Sequence, residues 1–272
     1  SPLLVFYQMG QTVAQSPQYR LFYFNVRGIA EPVRLLLHVA GVKFEDVRYP
    51  MSATTEGTTC EPGSSHGSCL AWPRGGQMAA EGFGLDQAYL RDKAAGHFSM
   101  NMDQLPILQV LENSKVIATL GQSHSILRFL AREHGLAGNS ALEQAAVDAI
   151  YEHVRDIKSS WYAAKKAGNK RTWLDAELPK LCAALERSLP AASVNSKWLV
   201  GRSVSLADIA VYHLLGTPIG ILTGATDSFF DGESDVVRKA FSECGRLASC
   251  VAAVGGLTAI QKWEQERPDT FT

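Results

Sequence analysis

The sequence predicts a chain in two parts, an α+β unit followed by an all-helical one. Three observations predict it. Near the N-terminus, "RLFYFNVRGIAEPVRLLL" passes from an aromatic, extended-favouring run through a turn into a helical pattern. Further on, "QLPILQVLENSKVIATLGQSHSILRFLAREHGL" holds two strand-like runs, a turn and a second helical pattern. Beyond "AGNSALEQ" helical spacing continues with hardly any strand signal.

Residues 1–17 show no sustained period and read as an extension outside the fold. From Arg20 to Phe24 the run reads as a strand, and Asn25 to Gly28 supplies turn residues. The following helix places Ile29, Val33, Leu36, Leu37 and Ala40 on one face. Pro32 is tolerated in its first turn, and Gly41 is positioned to stop it. "VKFEDVRY" then reads as a strand parallel to the first, which completes a β-α-β unit.

Eight glycines lie between Met51 and Met100, with serines and threonines around Cys60 to Ser68, so about 51–98 reads as an irregular insertion carrying one short helix at "LDQAYLRDK". A strand over Pro106 to Val110, a turn at Glu112 to Ser114 and a strand over Lys115 to Thr119 follow. A helix then opens near Ser123 and ends at Gly135. In the second part, Val147, Ile150, Val154, Ile157 and Trp161 step at helical spacing along one face. Ser205 and Asp208 form a capping-box pattern, with Val204 and Ile209 spaced as a hydrophobic staple. The expected division is an extension at 1–17, an α+β domain at 18–137 and an all-helical domain at 138–272.

Twenty-six basic and 27 acidic residues leave a net charge of -1, which gives no electrostatic case for nucleic acid or a membrane surface. No apolar run approaches the roughly 18 residues of a membrane span. Five scattered cysteines argue against a disulfide framework and for a reducing, cytoplasmic setting. Cys60, His66 and Cys69 lack a paired C-x-x-C and make a poor zinc signal, so no metal is expected.

"YFNVRGIAEPVR", "QLPIL", "GQSHSILRFLA" and "WLVGRSVSLADIAVY", in that order, resemble the cytosolic glutathione transferases, and the N-terminal stretch and "VDAI" look most similar to the sigma class. The resemblance covers roughly residues 19–49 and 99–268. It implies a thioredoxin-like N-terminal domain, an all-α C-terminal domain, and a cytoplasmic homodimer that joins reduced glutathione to hydrophobic electrophiles. Glutathione is then a co-substrate and no cofactor is needed.

Only the thiolate of glutathione is a good nucleophile, and a thiol of pKa about 8.5 is about 3% ionised at pH 7. A hydroxyl that donates a hydrogen bond to the sulfur raises that fraction. On residue type alone Tyr23 reads as a core aromatic like Phe22 or Phe24; by resemblance it is this donor. Leu105-Pro106 resembles the cis peptide whose preceding residue pairs with the cysteinyl main chain of glutathione, and it also reads as an ordinary strand-opening proline. Gln122 and Ser123 match the pair that holds the γ-glutamyl group at a helix N-terminus, where Ser123 also reads as a plain cap.

Gln104 matches a glutathione-binding position that is often lysine. Asp156 of the partner subunit matches an acidic residue that reaches across a dimer interface, and it reads equally as a solvated residue of an amphipathic helix. Arg155 stands where some relatives have a carboxylate used in a divalent-ion cluster, which speaks against metal activation.

Ile29 replaces an arginine common in tyrosine-type members, so either the thiol is less strongly activated or Arg27 serves indirectly through structure. Trp72 and Lys93 are candidates for the glycyl end of glutathione. No cysteine occupies the nucleophile position of cysteine-type relatives. Trp161, Tyr162 and Tyr212 are expected to wall the electrophile site, with simple core packing as the other reading of Trp161 and Tyr212. A non-catalytic binder of glutathione or hydrophobic ligands and a glutathione-dependent lipid isomerase are the competing functions.

Overall fold

The computed structural model describes residues 18–53, 83–191, 196–216 and 229–268. The 1–17 extension and the Gly/Ser-rich part of the insertion, with Cys60, His66, Cys69 and Trp72, lie outside the described residues. Strand β1 (Gln18–Phe24) leads through a short 3-10 turn, Gly28–Ala30, into α1 (Glu31–Val39) and then β2 (Phe44–Tyr49). Two three-residue strands, β3 (Met51–Ala53) and β4 (Phe83–Leu85), pair antiparallel and precede α2 (Gln87–Ala94). Strands β5 (Ile107–Glu112) and β6 (Lys115–Gly121) form a hairpin, and α3 (Ser123–Glu133) follows it.

The main sheet runs β2-β1-β5-β6, with β1 and β2 parallel and the other neighbours antiparallel. Alternation along β1 sorts its side chains between two cores. Tyr19 and Leu21 are buried on the α1 and α3 side, and Tyr23 packs against that same cluster. Phe22 and Phe24 point the other way, onto Tyr49, Tyr89 and Phe98. The short helix expected at "LDQAYLRDK" is α2, capped by Asp86, whose carboxylate accepts from the Ala88 N–H at 2.9 Å. The β3–β4 pair is too short to leave a sequence period.

Helix α1 buries Val33, Leu36 and Leu37, and Gly41, at φ +68°, takes the left-handed conformation that ends it. Ile29 departs from the expected buried face. It lies in the 3-10 turn before α1 and is 46% exposed, because the helical phase begins only at Glu31.

Beneath α1 sits a buried ionic cluster. Arg34 Nη1 lies 3.3 Å from the Glu31 carboxylate and Nε 2.9 Å from Asp46 of β2, while Nη1 also donates to the Val26 and Arg27 carbonyls. Glu31 in turn accepts from Trp263 Nε1 and Arg267 Nη1, both at 2.9 Å. Burial works to raise the Glu31 pKa, but Arg34 and Arg267 together with these hydrogen bonds leave it below the ordinary range.

The second part opens with the 26-residue α4 (Ala141–Lys166), capped by Ser140. All five of its expected face residues are buried. A short α5 (Lys170–Thr172) passes through a π-helical turn, Trp173–Glu177, into α6 (Leu178–Ser188). Then come α7 (Leu206–Leu215), α8 (Ser234–Ala240), α9 (Gly245–Gly255) and α10 (Thr258–Glu266).

The Ser205–Asp208 capping box is formed. Asp208 also accepts from the Leu199 N–H at 2.8 Å, tying the approach loop to α7. No helix among the described residues is long and apolar enough to cross a membrane.

Replacing Glu31 by alanine leaves Arg34 a buried cation with half its carboxylate partners gone. Urea unfolding of this variant is predicted to show a loss of about 3–5 kcal/mol. A loss under about 1 kcal/mol, the size of an exposed pair, would contradict that role for the cluster.

Candidate functional site

Sheet register assembles the site. Ile107 is the ladder partner of Phe22 on one side and of Gly121 on the other. The next position outward on the three adjacent strands is therefore Tyr23, Pro106 and Gln122. Three stretches far apart in sequence meet at one edge of the sheet, beside the N-terminus of α3.

Tyr23 is held from two sides. Gly28, at φ +44°, packs so closely that a Cβ there would lie 2.7 Å from the Tyr23 hydroxyl, so the turn requires glycine on both grounds. The Arg34 guanidinium sits 5.9 Å from the centre of the ring. Burial raises the Tyr23 pKa, against the opposing effects of a hydrogen bond from the Ile29 backbone N–H and of Arg34. The phenol therefore keeps its proton at neutral pH, and no side chain among the described residues accepts it.

The Leu105–Pro106 peptide is cis. Pro106 is buried, Leu105 half-buried and Gln104 exposed. Ser123 is buried as the first residue of α3, so the cap position belongs to Gln122, which is exposed with φ +64°. The plain-cap reading of Ser123 is thereby corrected.

A residue that sequence patterns did not single out joins these two segments. Asn101 is 4% exposed, and its Nδ2 donates to the carbonyls of Gln104 at 2.9 Å and Pro106 at 3.0 Å. Its Oδ1 accepts from the Gln122 N–H at 2.9 Å. Gly121 makes room for it, since a Cβ there would meet Asn101 at 2.6 Å. Nothing in "SMNMDQ" signals this role, because all three partners are main-chain groups of turns.

A cavity of about 150 Å³ opens between the two parts of the molecule beside Gly28, Ile29 and Ser123. Val154, Lys158 and Tyr162 of α4, Ala210 and His213 of α7, and Phe229 form much of its wall. His124 and Tyr151 close another side through a 2.5 Å hydrogen bond. Burial, then Arg155, Lys158 and Arg128, lower the His124 pKa to about 4, so that imidazole is neutral.

Of the expected electrophile-site residues, only Tyr162 faces this cavity. Trp161 is 1% exposed and packs on Trp173 and Phe230; Tyr212 is 6% exposed and donates to Glu264 at 2.5 Å. Both are core residues, because they project from the inward sides of α4 and α7. Asp156 stands exposed on α4 outside the cavity, and Lys93 is exposed on α2. Arg155 lines the cavity and pairs with Glu152, so the position supplies a cation to the wall.

Comparison with known proteins agrees with this architecture. Residues 152–267 match the family described as glutathione S-transferase, C-terminal domain. Glutathione S-transferase 1 of Ascaris suum is 30% identical over 93% of this chain and 98% of its own length. The chain belongs to the glutathione S-transferase family. Hematopoietic prostaglandin D synthase of Gallus gallus is also 30% identical, over 93% of this chain and 98% of its own. The crystal structure of the glutathione S-transferase from Ascaris lumbricoides superposes with a TM-score of 0.60 at 27% identity, covering 93% of this chain and 98% of that one. In this glutathione S-transferase family member, the mixed sheet with α1 to α3 is the thioredoxin-like part and α4 to α10 form the helical part.

Asn101→Ala leaves two carbonyls and one N–H without their partner in the loops flanking Pro106 and Gln122. The predicted result is a Kd for glutathione raised about tenfold, the effect of roughly one lost hydrogen bond, measured by calorimetry. An unchanged Kd would mean that these loops hold their positions without Asn101.

Proposed function

We propose that the protein is a glutathione transferase that joins reduced glutathione to hydrophobic electrophiles through a thiolate stabilised by Tyr23. The observation that carries the reading is the row of Tyr23, Pro106 and Gln122 across three adjacent strands, with the tyrosine's proton unclaimed by any described side chain. In this reading Gln122, Ser123 and the N-terminus of α3 hold the γ-glutamyl end. The Leu105 main chain pairs with the cysteinyl residue, and Gln104 takes part towards the glycyl end. That places the sulfur at the Tyr23 hydroxyl and the electrophile in the adjoining cavity. Catalysis comes from positioning and a lowered thiol pKa, with no covalent enzyme intermediate.

The Tyr23 hydroxyl suits the task because it is neutral. A protonated phenol donates to sulfur, whereas a phenolate would repel the thiolate. Arg34, beneath the ring, takes the place of the arginine that Ile29 lacks in the turn, acting on the ring's face.

The same reading makes the protein a cytoplasmic homodimer to which Asp156 of the partner subunit contributes. Its three described cysteines are free thiols, and Met102, the residue after the Ser99–Asn101 turn, and Ile117 of β6, on which that turn packs, are 82% and 59% exposed, apolar surface suited to a second copy. The relative named prostaglandin D synthase supports a second reading, a glutathione-dependent isomerase built on the same sulfur site.

Tyr23→Phe removes one hydroxyl and keeps the ring. It is predicted to melt like the parent, and to conjugate chlorodinitrobenzene about 10 to 100 times more slowly near neutral pH, the range for a lost charge-assisted hydrogen bond. The deficit should shrink as pH rises towards the thiol's own pKa. Light scattering on the same samples should give two 29.6 kDa chains per particle. An unmoved pH-rate profile would remove Tyr23 from the mechanism. Glutathione binding without conjugation would favour the isomerase or binding-protein reading.

A further inference from the structure

The cavity wall carries a cation that the transferase reading leaves unused. Lys158 lies on α4 one turn before Tyr162, so the two side chains share a face at i,i+4 spacing and both line the cavity. Its ammonium stands 2.9 Å from His213 Nδ1 and 5.0 Å from the centre of the Phe229 ring. No carboxylate among the described residues pairs with it. Lys158 is half-buried, and a cation drawn partly out of water without a counter-charge is a candidate to meet negative charge from a ligand or a reaction.

The partner of Lys158 acts as an acceptor. Burial, then Lys158, Arg27 and Arg267, push the His213 pKa far down, so its ring is neutral and Nδ1 takes a hydrogen bond from the ammonium when the proton sits on Nε2. That bond aims the amine while adding no negative charge to compete for it. Burial brings Lys158 itself down to about 7, so the amine can give up and regain a proton near neutrality.

The cavity also joins Lys158 to the sulfur position proposed above. Gly28, which packs on the Tyr23 hydroxyl, lines it, and Tyr162 lies close enough to Tyr23 for the ionisation of the two phenols to be coupled. The opening therefore has a hydrogen-bond donor for sulfur at one end and a proton-bearing amine further along its wall.

We propose that Lys158, aimed by His213, binds and protonates the oxygen that gathers negative charge when glutathione adds to an α,β-unsaturated aldehyde or ketone. The proposal rests on the transferase reading and deepens it by assigning the residue that serves electrophiles whose addition leaves charge on a carbonyl oxygen. The thiolate forms a C–S bond to the β-carbon, and the C=C pair shifts so that the carbonyl π electrons move onto oxygen. Lys158 gives that oxygen a proton to form the enol, which tautomerises to the saturated carbonyl. Water then returns a proton to the amine, equal to the one the thiol released. The addition intermediate of chlorodinitrobenzene spreads its negative charge onto nitro oxygens, but it collapses by expelling chloride and takes up no proton, so only the enone needs Lys158 as an acid.

The test compares kcat/KM for benzylideneacetone, an enone, with that for chlorodinitrobenzene, in the full chain at saturating glutathione. In Lys158→Met the enone-to-halide ratio is expected to fall roughly a hundredfold, the low end for loss of a positioned general acid. Lys158→Arg, which keeps a cation, should recover part of it. Tyr23→Phe should lower both rates and leave the ratio near that of the parent. Should the methionine variant fail to fold, the parent protein alone decides, since a solvent deuterium isotope effect is expected on enone turnover and not on the halide. An unchanged ratio, or equal isotope effects, would overturn the proposal while leaving the transferase reading standing. Failure of the parent to turn over either compound would remove that reading and the proposal with it.

Discussion

The buried pair of Glu31 and Arg34 is the constraint on which the arrangement depends. Arg34 donates to the carbonyls of Val26 and Arg27, so it fixes the turn that delivers Gly28 against Tyr23. Through Asp46 it holds β2, and through Glu31 it reaches Trp263 and Arg267 near the far end of the chain. One ionic cluster thus sets the tyrosine's pocket and ties the helical part to the sheet. Two charges removed from water carry a large desolvation cost, repaid here by the hydrogen bonds each group makes. The cluster joins α1, β2 and the end of the chain, so moving any one of them away would leave a buried charge with fewer partners.

The candidate glutathione site combines two kinds of precision. Ladder register brings Tyr23, Pro106 and Gln122 to one edge, which is a property of the backbone. Asn101 then fixes the two loops to each other with three hydrogen bonds from one side chain. The adjoining cavity is built differently, largely from side chains of α4 and α7 that share no main-chain ladder with the sheet. Its polar groups, the His124–Tyr151 and Lys158–His213 pairs, are neutral or cationic and lean towards ligands that carry or develop negative charge.

What the sequence made legible was local. The β1–α1–β2 unit, the hairpin β5–β6, the buried face of α4 and the capping box of α7 each rest on period or turn chemistry within some ten to twenty residues. The order of four motifs then pointed to Tyr23, Pro106 and Ser123 together. Side-chain partners across the fold left no such trace. Arg34 looks like a surface arginine until β2 and α10 enclose it, and Asn101 looks like a turn residue. Lys158 was readable only as a charge on the border of a buried face, between Val154 and Trp161. The resemblance put Trp161 and Tyr212 on a cavity wall while their residue type left core packing open, since an aromatic suits both equally and only the helix rotation decides.

The central claim is that Tyr23, held by Gly28 and Arg34, stabilises a thiolate on bound glutathione. The most direct measurement is the ultraviolet absorbance of the thiolate in the glutathione complex, titrated against pH in the parent and in Tyr23→Phe. The account predicts that the bound thiol of the parent ionises below the free value of about 8.5, and that the variant returns to about that value or above. A midpoint in the parent equal to that of free glutathione, or one that Tyr23→Phe leaves in place, would contradict it.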